Sequence, residues 1–381
     1  MRVIDTEKIP IKLWLDEIED GALAQAKNLA NLPFAYRWIA IMPDSHEGYG
    51  MPIGGVMATR GVVVPNAVGV DIGCGMRAIK TSLKEIDTDT IKRVMGKARE
   101  RIPVGFNHHK ENQEWDGFIN APDTLVIQQE LSSARRQLGT LGGGNHFLEI
   151  QMGSDGHVWL MVHSGSRNFG LKVAKYYHDI AKHLCERWLS DLPEKDLSFL
   201  PIEDKMAKDY MSSMNYCLEF ARENRQIMLS TLCGIVHNEV GGMNVEHEID
   251  VHHNYAVYEH HYGNDVLVHR KGAIKASGHQ WGIIPGSMGT SSYIVQGLGN
   301  PESFLSSSHG AGRSMGRAQA KKRLDLVTEQ GKMKNIVHGL RSINELDEAP
   351  GAYKDIDQVM LNQQDLVEIQ VKLTPLAVIK G

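Results

Sequence analysis

The crowding of glycine around histidine does most to restrict what this chain can fold into. The chain holds 18 histidines and 38 glycines, and many of the glycines stand directly beside the histidines. Glycine lets a backbone turn where other residues are strained, and imidazole is a common ligand, so the pairing suits ligand sites set in tight turns. With 381 residues, 42% of them hydrophobic and 23% charged, a large buried core is available, and disorder or a fibre is excluded. Basic side chains number 41 against 46 acidic, a net charge of -5, so any RNA or DNA must be met by a local patch. The cysteines at 74, 185, 217 and 233 form no CxxC pair, which predicts a reducing, cytoplasmic setting. The start MRVIDTEKIP has acids where a signal peptide needs an apolar run, and no window has the length of a membrane span, so neither targeting nor a membrane is expected.

Along the chain, residues 61–65, 76–83, 157–163 and 266–270 read as strands from their β-branched or apolar runs. Helical spacing predicts helices over 173–188, 211–232 and 317–329, with Cys185 and Cys217 as small core residues on the first two. Residues 272–312 read as Gly- and Ser-rich loops. No repeat and no Pro- or Ser-rich linker is visible, which predicts an α+β fold: a single large mixed domain, 1–381, of interleaved strands and helices.

Common phosphate cradles are missing. Gly96-Lys97 and Gly331-Lys332 lack the partners of a P-loop, and Gly297-Leu298-Gly299 is spoiled as a dinucleotide fingerprint by Asn300, Pro301 and Glu302. His247, Glu248 and His252 form HExxxH, which on a helix would put the two imidazoles about 140° apart rather than on one face.

Four clusters remain. Glycines around Asp71 and Cys74 can aim a carboxylate and a thiolate at one point, a metal half-site whose plainer reading is a turn with a buried cysteine. His146, His163 and His253 each stand in a polar, glycine-rich context, and of the pair His252-His253 only one can face a given site if the segment is extended. These donors would suit one or two divalent ions with the thiolate bridging, and ligand softness alone favours zinc. His309, in SHGAGR, has small neighbours and a Gly-Ala-Gly turn able to bind an anion. Beside it Arg313 offers a fork for phosphate, and residues 285–290 form a second small-residue cradle. An accessible imidazole next to phosphate binders and a divalent metal can act as a nucleophile at phosphorus; the alternative is a flexible loop with an exposed histidine.

In order along the chain, PDSHEGYGMPIGG (43–55), VGVDIGCGM (68–76), GTLGGGNHFLE (139–149), HSGSRNFG (163–170), HHNYA (252–256), RKGA (270–273), PGSMGTSSY (285–293), SHGAGR (308–313), DEAPGAYKDI (347–356) and the terminal Lys380-Gly381 resemble the RtcB family of RNA-splicing ligases. The resemblance implies GTP- and Mn²⁺-dependent joining of an RNA 3′-phosphate or 2′,3′-cyclic phosphate end to a 5′-hydroxyl end. It implies two Mn²⁺ ions on Asp71, Cys74, His146, His163 and His253, and His309 as the residue guanylated by GTP. GMP would then pass to the RNA 3′ end and leave as the 5′-hydroxyl attacks. The matching motifs put Asn145, His146, Phe147, Leu148, Glu149, His253, Asn254, Pro285, Gly286, Ser287, Met288, Ser292, His309, Gly310, Ala311, Gly312 and Lys380 around the nucleotide, with Glu149 and Lys380 suited to the guanine edge. The chain resembles a compact bacterial branch, part of which is associated with a release-factor-like protein in ribosome repair, so the ribosome or such a protein is a candidate partner beside tRNA or other RNA. Ser45 stands where many relatives carry an aliphatic residue.

Two rival functions share these residues. A dinuclear metallophosphoesterase could use the same five donors without a nucleophilic His309, and a non-catalytic RNA- or ribosome-binding module would leave the clusters without purpose.

Overall fold

The computed structural model describes residues 1–381 and builds an α+β architecture on two large sheets. The central sheet has seven antiparallel strands, in the order Val245–His252, Gly75–Thr81, Val158–Ser164, Phe147–Gly153, Val367–Lys380, Ser292–Gly297 and Trp281–Ile284. The outer sheet has six: Arg2–Ile4, Ile11–Leu13, Ala35–Tyr49, Met51–Thr59, Asn264–Lys271 and Asn254–His261. Alternation along each central strand sends neighbouring residues to opposite faces. Met76, Ala78, Phe147, Trp159 and Met161 share one core cluster with Val56, Ala58 and Val268 of the outer sheet, whereas Ile79, Leu148, Ile150, Leu160 and Val162 pack on the other side with Met228, Leu229 and Leu232 of a long helix.

That helix, Lys205–Val240, runs 36 residues. Asp204 caps its start by accepting from the Met206 N–H at 2.7 Å, and Gly241 ends it at φ 76°, a left-handed conformation that glycine adopts without strain. The helix read over 173–188 spans Arg167–Arg187, and Cys185 and Cys217 lie buried on the two helices. The strands expected at 76–83, 157–163 and 266–270 are present within a few residues.

Two readings need correction. Residues 272–312 contain four short strands, Ala273–Lys275, Trp281–Ile284, Ser292–Gly297 and Ser306–Ser308, besides their loops. The helix expected over 317–329 is two, Arg317–Arg323 and Leu326–Lys332, because the Asp325 carboxylate caps a new start by accepting from the Thr328 N–H at 2.9 Å. No helix is long and apolar enough to cross a membrane.

Candidate active site

The ends of the central strands bring the first cluster together. Cys74 sits in the turn before Gly75–Thr81, His163 is the penultimate residue of Val158–Ser164, and His146 immediately precedes Phe147–Gly153. His253 lies between Val245–His252 and Asn254–His261, so it is placed where the two sheets meet. Ligating atoms of Cys74, His163 and His253 lie within 4.8 Å of one another, as do those of Asp71, Cys74 and His146.

The imidazoles are oriented from behind. His146 Nδ1 donates to the Leu141 carbonyl at 2.9 Å, and His163 Nδ1 donates to the Asn145 carbonyl at 3.1 Å. Each ring therefore turns Nε2 to the cluster. His163 Nε2 is 3.2 Å from Cys74 Sγ; His146 Nε2 is 3.4 Å from it and 3.1 Å from Asp71 Oδ2. His253 has a buried Nδ1 without a partner. His252, by contrast, turns away and bonds through Nδ1 to the Gly73 carbonyl at 3.1 Å.

Burial holds His163 and His253 well below the usual histidine range, with neighbouring histidines adding to the effect, so both are neutral donors. Burial and the adjacent Asp71 push the Cys74 thiol well up, so a thiolate there calls for a compensating cation. Burial alone would raise Asp71, but the bond and charge of His146 outweigh it and hold the carboxyl low. The neutral imidazoles of His163 and His253, the Nε2 of His146, an ionised carboxylate, a thiol and an orphaned buried nitrogen fit a divalent cation.

His309 borders this cluster, its ring centroid 4.6 Å from that of His253. It is not on an exposed loop: it follows the buried strand Ser306–Ser308, which pairs with Ala273–Lys275, and its side chain is 14% exposed. Asp44, in Ala35–Tyr49 and fully buried, accepts from both the His309 backbone N–H at 3.1 Å and Nδ1 at 2.6 Å. That bond fixes the proton on Nδ1 and leaves Nε2 with a free lone pair. A Cβ at Gly312 would lie 2.0 Å from the Asp44 carbonyl oxygen, so only glycine lets the HGAG turn close on Asp44.

Phe147 links this centre to a second cluster, its ring 5.4 Å from that of His163 and 5.3 Å from Lys380 Nζ. Glu149 shares the Phe147 face and is 3% exposed. Burial pushes its carboxyl up to about 8, against the opposing pull of Lys380 and of Gln151, whose amide donates to it at 2.6 Å. Lys380 also lines a cavity of about 560 Å³, together with Gly144, Met288, His338, Arg341 and Glu348, a size that suits a nucleotide base and sugar.

Other expected residues take supporting positions. Leu148 points into the core on the helix side, so only its backbone borders the site. Asn254 ties the Asp71 carbonyl, 3.0 Å away, to the Gly272 N–H at 2.8 Å. In residues 285–290 the Ser287 N–H donates to Thr290 Oγ1 at 2.7 Å, and the Gly286 N–H reaches Ser292 Oγ at 3.3 Å, so these hydroxyls brace the turn. Arg313 is not a free phosphate fork: Nη1 pairs with Glu348 at 3.2 Å, Nε donates to the Met315 carbonyl at 3.1 Å, and Nη2 donates to the Asp347 carbonyl.

Asp44, Glu348, Asn224 and Arg225 were not assigned roles from the sequence. Asp44 and Glu348 lie inside the resembling segments 43–55 and 347–356, but nothing in the spacing ties them to His309 or Lys380. Asn224 and Arg225 project from the middle of the long helix into the turns under the site. Asn224 Oδ1 accepts from the Gly139 N–H at 2.7 Å, and Arg225 Nη1 donates to the carbonyls of Gly73 and Ser164 at 3.0 Å each.

The family model described as tRNA-splicing ligase RtcB matches residues 25–381. The RNA-splicing ligase RtcB of Escherichia coli K12 is 38% identical over 405 aligned positions, which cover 100% of this chain and 99% of that protein. The tRNA-splicing ligase RtcB of Pyrobaculum aerophilum is 33% identical over 461 positions covering 98% and 95%, and that of Thermococcus kodakarensis is 32% identical over 458.

Proposed function

The chain belongs to the RtcB family and is an RNA ligase, and from that premise we propose that it seals RNA through a guanylated His309. The substrates are an RNA 3′-phosphate or 2′,3′-cyclic phosphate end and a 5′-hydroxyl end. Nε2 of His309 attacks the α-phosphate of GTP, and pyrophosphate leaves. A cyclic end is first opened by water, which adds at phosphorus as the 2′-oxygen leaves and takes up a proton. An oxygen of the RNA 3′-phosphate then attacks the phosphorus of the adduct, which frees His309 and leaves a 3′-guanylate. The 5′-hydroxyl displaces GMP and loses its proton as the new diester forms. Asp44 accepts the Nδ1 hydrogen bond throughout and offsets the positive charge that develops on the ring.

Asp71, Cys74, His146, His163 and His253 would hold two Mn²⁺ ions with Cys74 shared. Bound there, the ions would offset the negative charge that collects on the reacting phosphates. Glu149 would accept from the guanine N1–H and N2–H₂, and Lys380 would donate to O6, with Asn145, Phe147, Pro285 to Met288, Ser292 and Gly310 to Gly312 around the nucleotide. The whole chain, 1–381, works as one domain, because the proposed residues run from Asp44 to Lys380. A reducing cytoplasm is its setting, where Cys74 stays a thiol. A release-factor-like protein or the ribosome would deliver broken RNA to it.

The observation that carries this reading over phosphoester hydrolysis is the 2.6 Å bond from His309 Nδ1 to buried Asp44, since a hydrolase needs no braced histidine beside its metals. Incubation with α-labelled GTP and Mn²⁺, followed by denaturing separation, tests it. A labelled band from the native protein and none from His309→Ala is expected. An unlabelled native protein that still removes terminal phosphates would favour the hydrolase.

A further inference from the structure

Beyond helix Thr88–Arg101 lies the most exposed aromatic side chain of the molecule. Phe106 is 102% exposed, whereas the seven other phenylalanines are buried or half-buried. A phenylalanine left in water forgoes the stabilisation of burial, so its position is not explained by folding. Nor is it carried on loose chain. The Asn107 N–H donates to the Val104 carbonyl at 3.2 Å and closes a turn with Gly105 at φ 65°. On one side the Gly105 N–H donates to the Gly142 carbonyl at 2.8 Å and the Leu141 N–H to Pro103 at 2.9 Å; on the other the His109 N–H donates to Arg136 at 3.0 Å. The ring is held out by a braced turn.

The turn stands next to the candidate active site. Arg167 Nη2 donates to the Gly105 carbonyl at 3.3 Å, while Nη1 of the same guanidinium lies 3.4 Å from His146 Nδ1. Gly143 is exposed and without a side chain, and a Cβ there would have Gly105 as its only neighbour, at 3.7 Å. Lys110, on the same segment, and Arg136, whose carbonyl holds the His109 N–H, are exposed cations on a chain whose net charge is -5.

A braced exposed ring, with Arg167 on the preceding carbonyl and at the rim of a site that handles phosphate, has the chemistry of a nucleobase platform. Unstacked bases of single-stranded RNA bind by stacking on aromatic faces, with basic groups following the backbone. We propose that Phe106 stacks a nucleobase of single-stranded RNA next to the reacting end while Arg167, Lys110 and Arg136 meet its phosphates. The inference rests on the ligase reading in taking RNA as the ligand, and it adds a residue that determines how the end is held.

Binding of a fluorescent single-stranded RNA with a 3′-phosphate, followed by anisotropy, tests the proposal without requiring catalysis. Phe106→Ala should raise Kd roughly 5- to 150-fold, Phe106→Trp should bind like the native protein, and Phe106→Leu should bind like the alanine variant. Removing the bases of the last nucleotides should weaken binding to the native protein but not to Phe106→Ala, and 5-iodouridine at those positions should cross-link to Phe106. Because the ring is solvent-exposed, thermal melts should match, and a variant with a lowered melt is replaced by Phe106→Gln. Equal affinity of the alanine and native proteins, or a leucine variant as good as tryptophan, overturns the proposal. A change in self-association at unchanged RNA affinity assigns the ring to a protein contact and overturns it too. Labelling of native protein by GTP is scored separately. Aromatic-dependent RNA binding without labelling would keep Phe106 and remove the ligase mechanism; labelling with RNA binding indifferent to Phe106 would do the reverse.

Discussion

Two buried carboxylates divide the candidate site between them. Asp44 spends one oxygen on two N–H donors of His309, which sets the tautomer that a nucleophilic Nε2 requires. Asp44→Asn offers an amide in its place, which weakens the preference for the Nδ1–H form. Adduct formation from GTP should slow by roughly 100-fold or more, measured as the rate of labelling at saturating GTP; an unchanged rate would remove Asp44 from the reaction. Glu149 has the other role. Its carboxyl is pushed up to about 8 by burial, so the folded protein binds a proton there that the unfolded chain releases near 4.5. Stability from this group is complete below about 4.5 and is lost as pH rises through 8. Glu149→Gln lacks that loss, so the melting temperature of the variant relative to native protein should climb between pH 5 and 9. A difference that stays flat across that range would show Glu149 to be ordinary. Asp71, Cys74, His146, His163 and His253, which the fold brings together, stood out in the sequence because glycine-rich motifs mark them. Asp44 was legible only as part of a motif, since its partner is 265 residues away and no local pattern links them.

At the scale of elements, the central strands aim the donors and the helix Lys205–Val240 keeps their turns in place. Arg225 is fully buried, with Nε and Nη2 on Asp250 at 3.0 and 2.7 Å and Nη1 on the carbonyls of Gly73 and Ser164. Removing it leaves the buried Asp250 carboxylate only the longer bond from Arg77 Nη1, at 3.3 Å, and takes a donor from two interior carbonyls. Arg225→Met should therefore cost about 3 kcal/mol in denaturant unfolding, and it should loosen the turn that carries Cys74 and the strand end that carries His163. A metal titration followed by calorimetry would read the second effect; a variant with native stability would show the pair to be incidental. Periodicity revealed this helix because its apolar stripe is long, although its ends at 205 and 240 depend on the Asp204 cap and on Gly241. The strand Ser306–Ser308 was not legible. Three serines carry no hydrophobic signal, and they are buried because partners distant in sequence satisfy them: Arg270 Nε donates to Ser306 Oγ at 2.9 Å and Gln363 Nε2 to Ser308 Oγ at 2.6 Å.

Across the whole molecule, the two sheets meet along an edge where residues from Asp44 to Lys380 converge, and the strand that completes this arrangement comes last in the chain. Val367–Lys380 lies between Phe147–Gly153 and Ser292–Gly297, so the central sheet stays split until the final residues have joined it. Such non-local pairing delays the reward for closing long loops and leaves two strand edges open meanwhile. A chain ended at residue 366 should therefore collect as aggregates or remain loosely packed, seen as loss of the cooperative melt. Deleting only Lys380 and Gly381 is a different perturbation. The pairing of Leu373 to Ile379 with Phe147–Gly153 remains, but Glu348, 3.6 Å from Lys380 Nζ, and Glu149 lose a compensating cation beside the cavity. That shorter deletion should keep a cooperative melt while GTP binding falls and discrimination against ATP is lost, measured by competition of the two nucleotides for one site. Retained selectivity for guanine in the shortened chain would move base recognition away from Lys380, and a melt lost with the two residues would make them part of the sheet's closure instead.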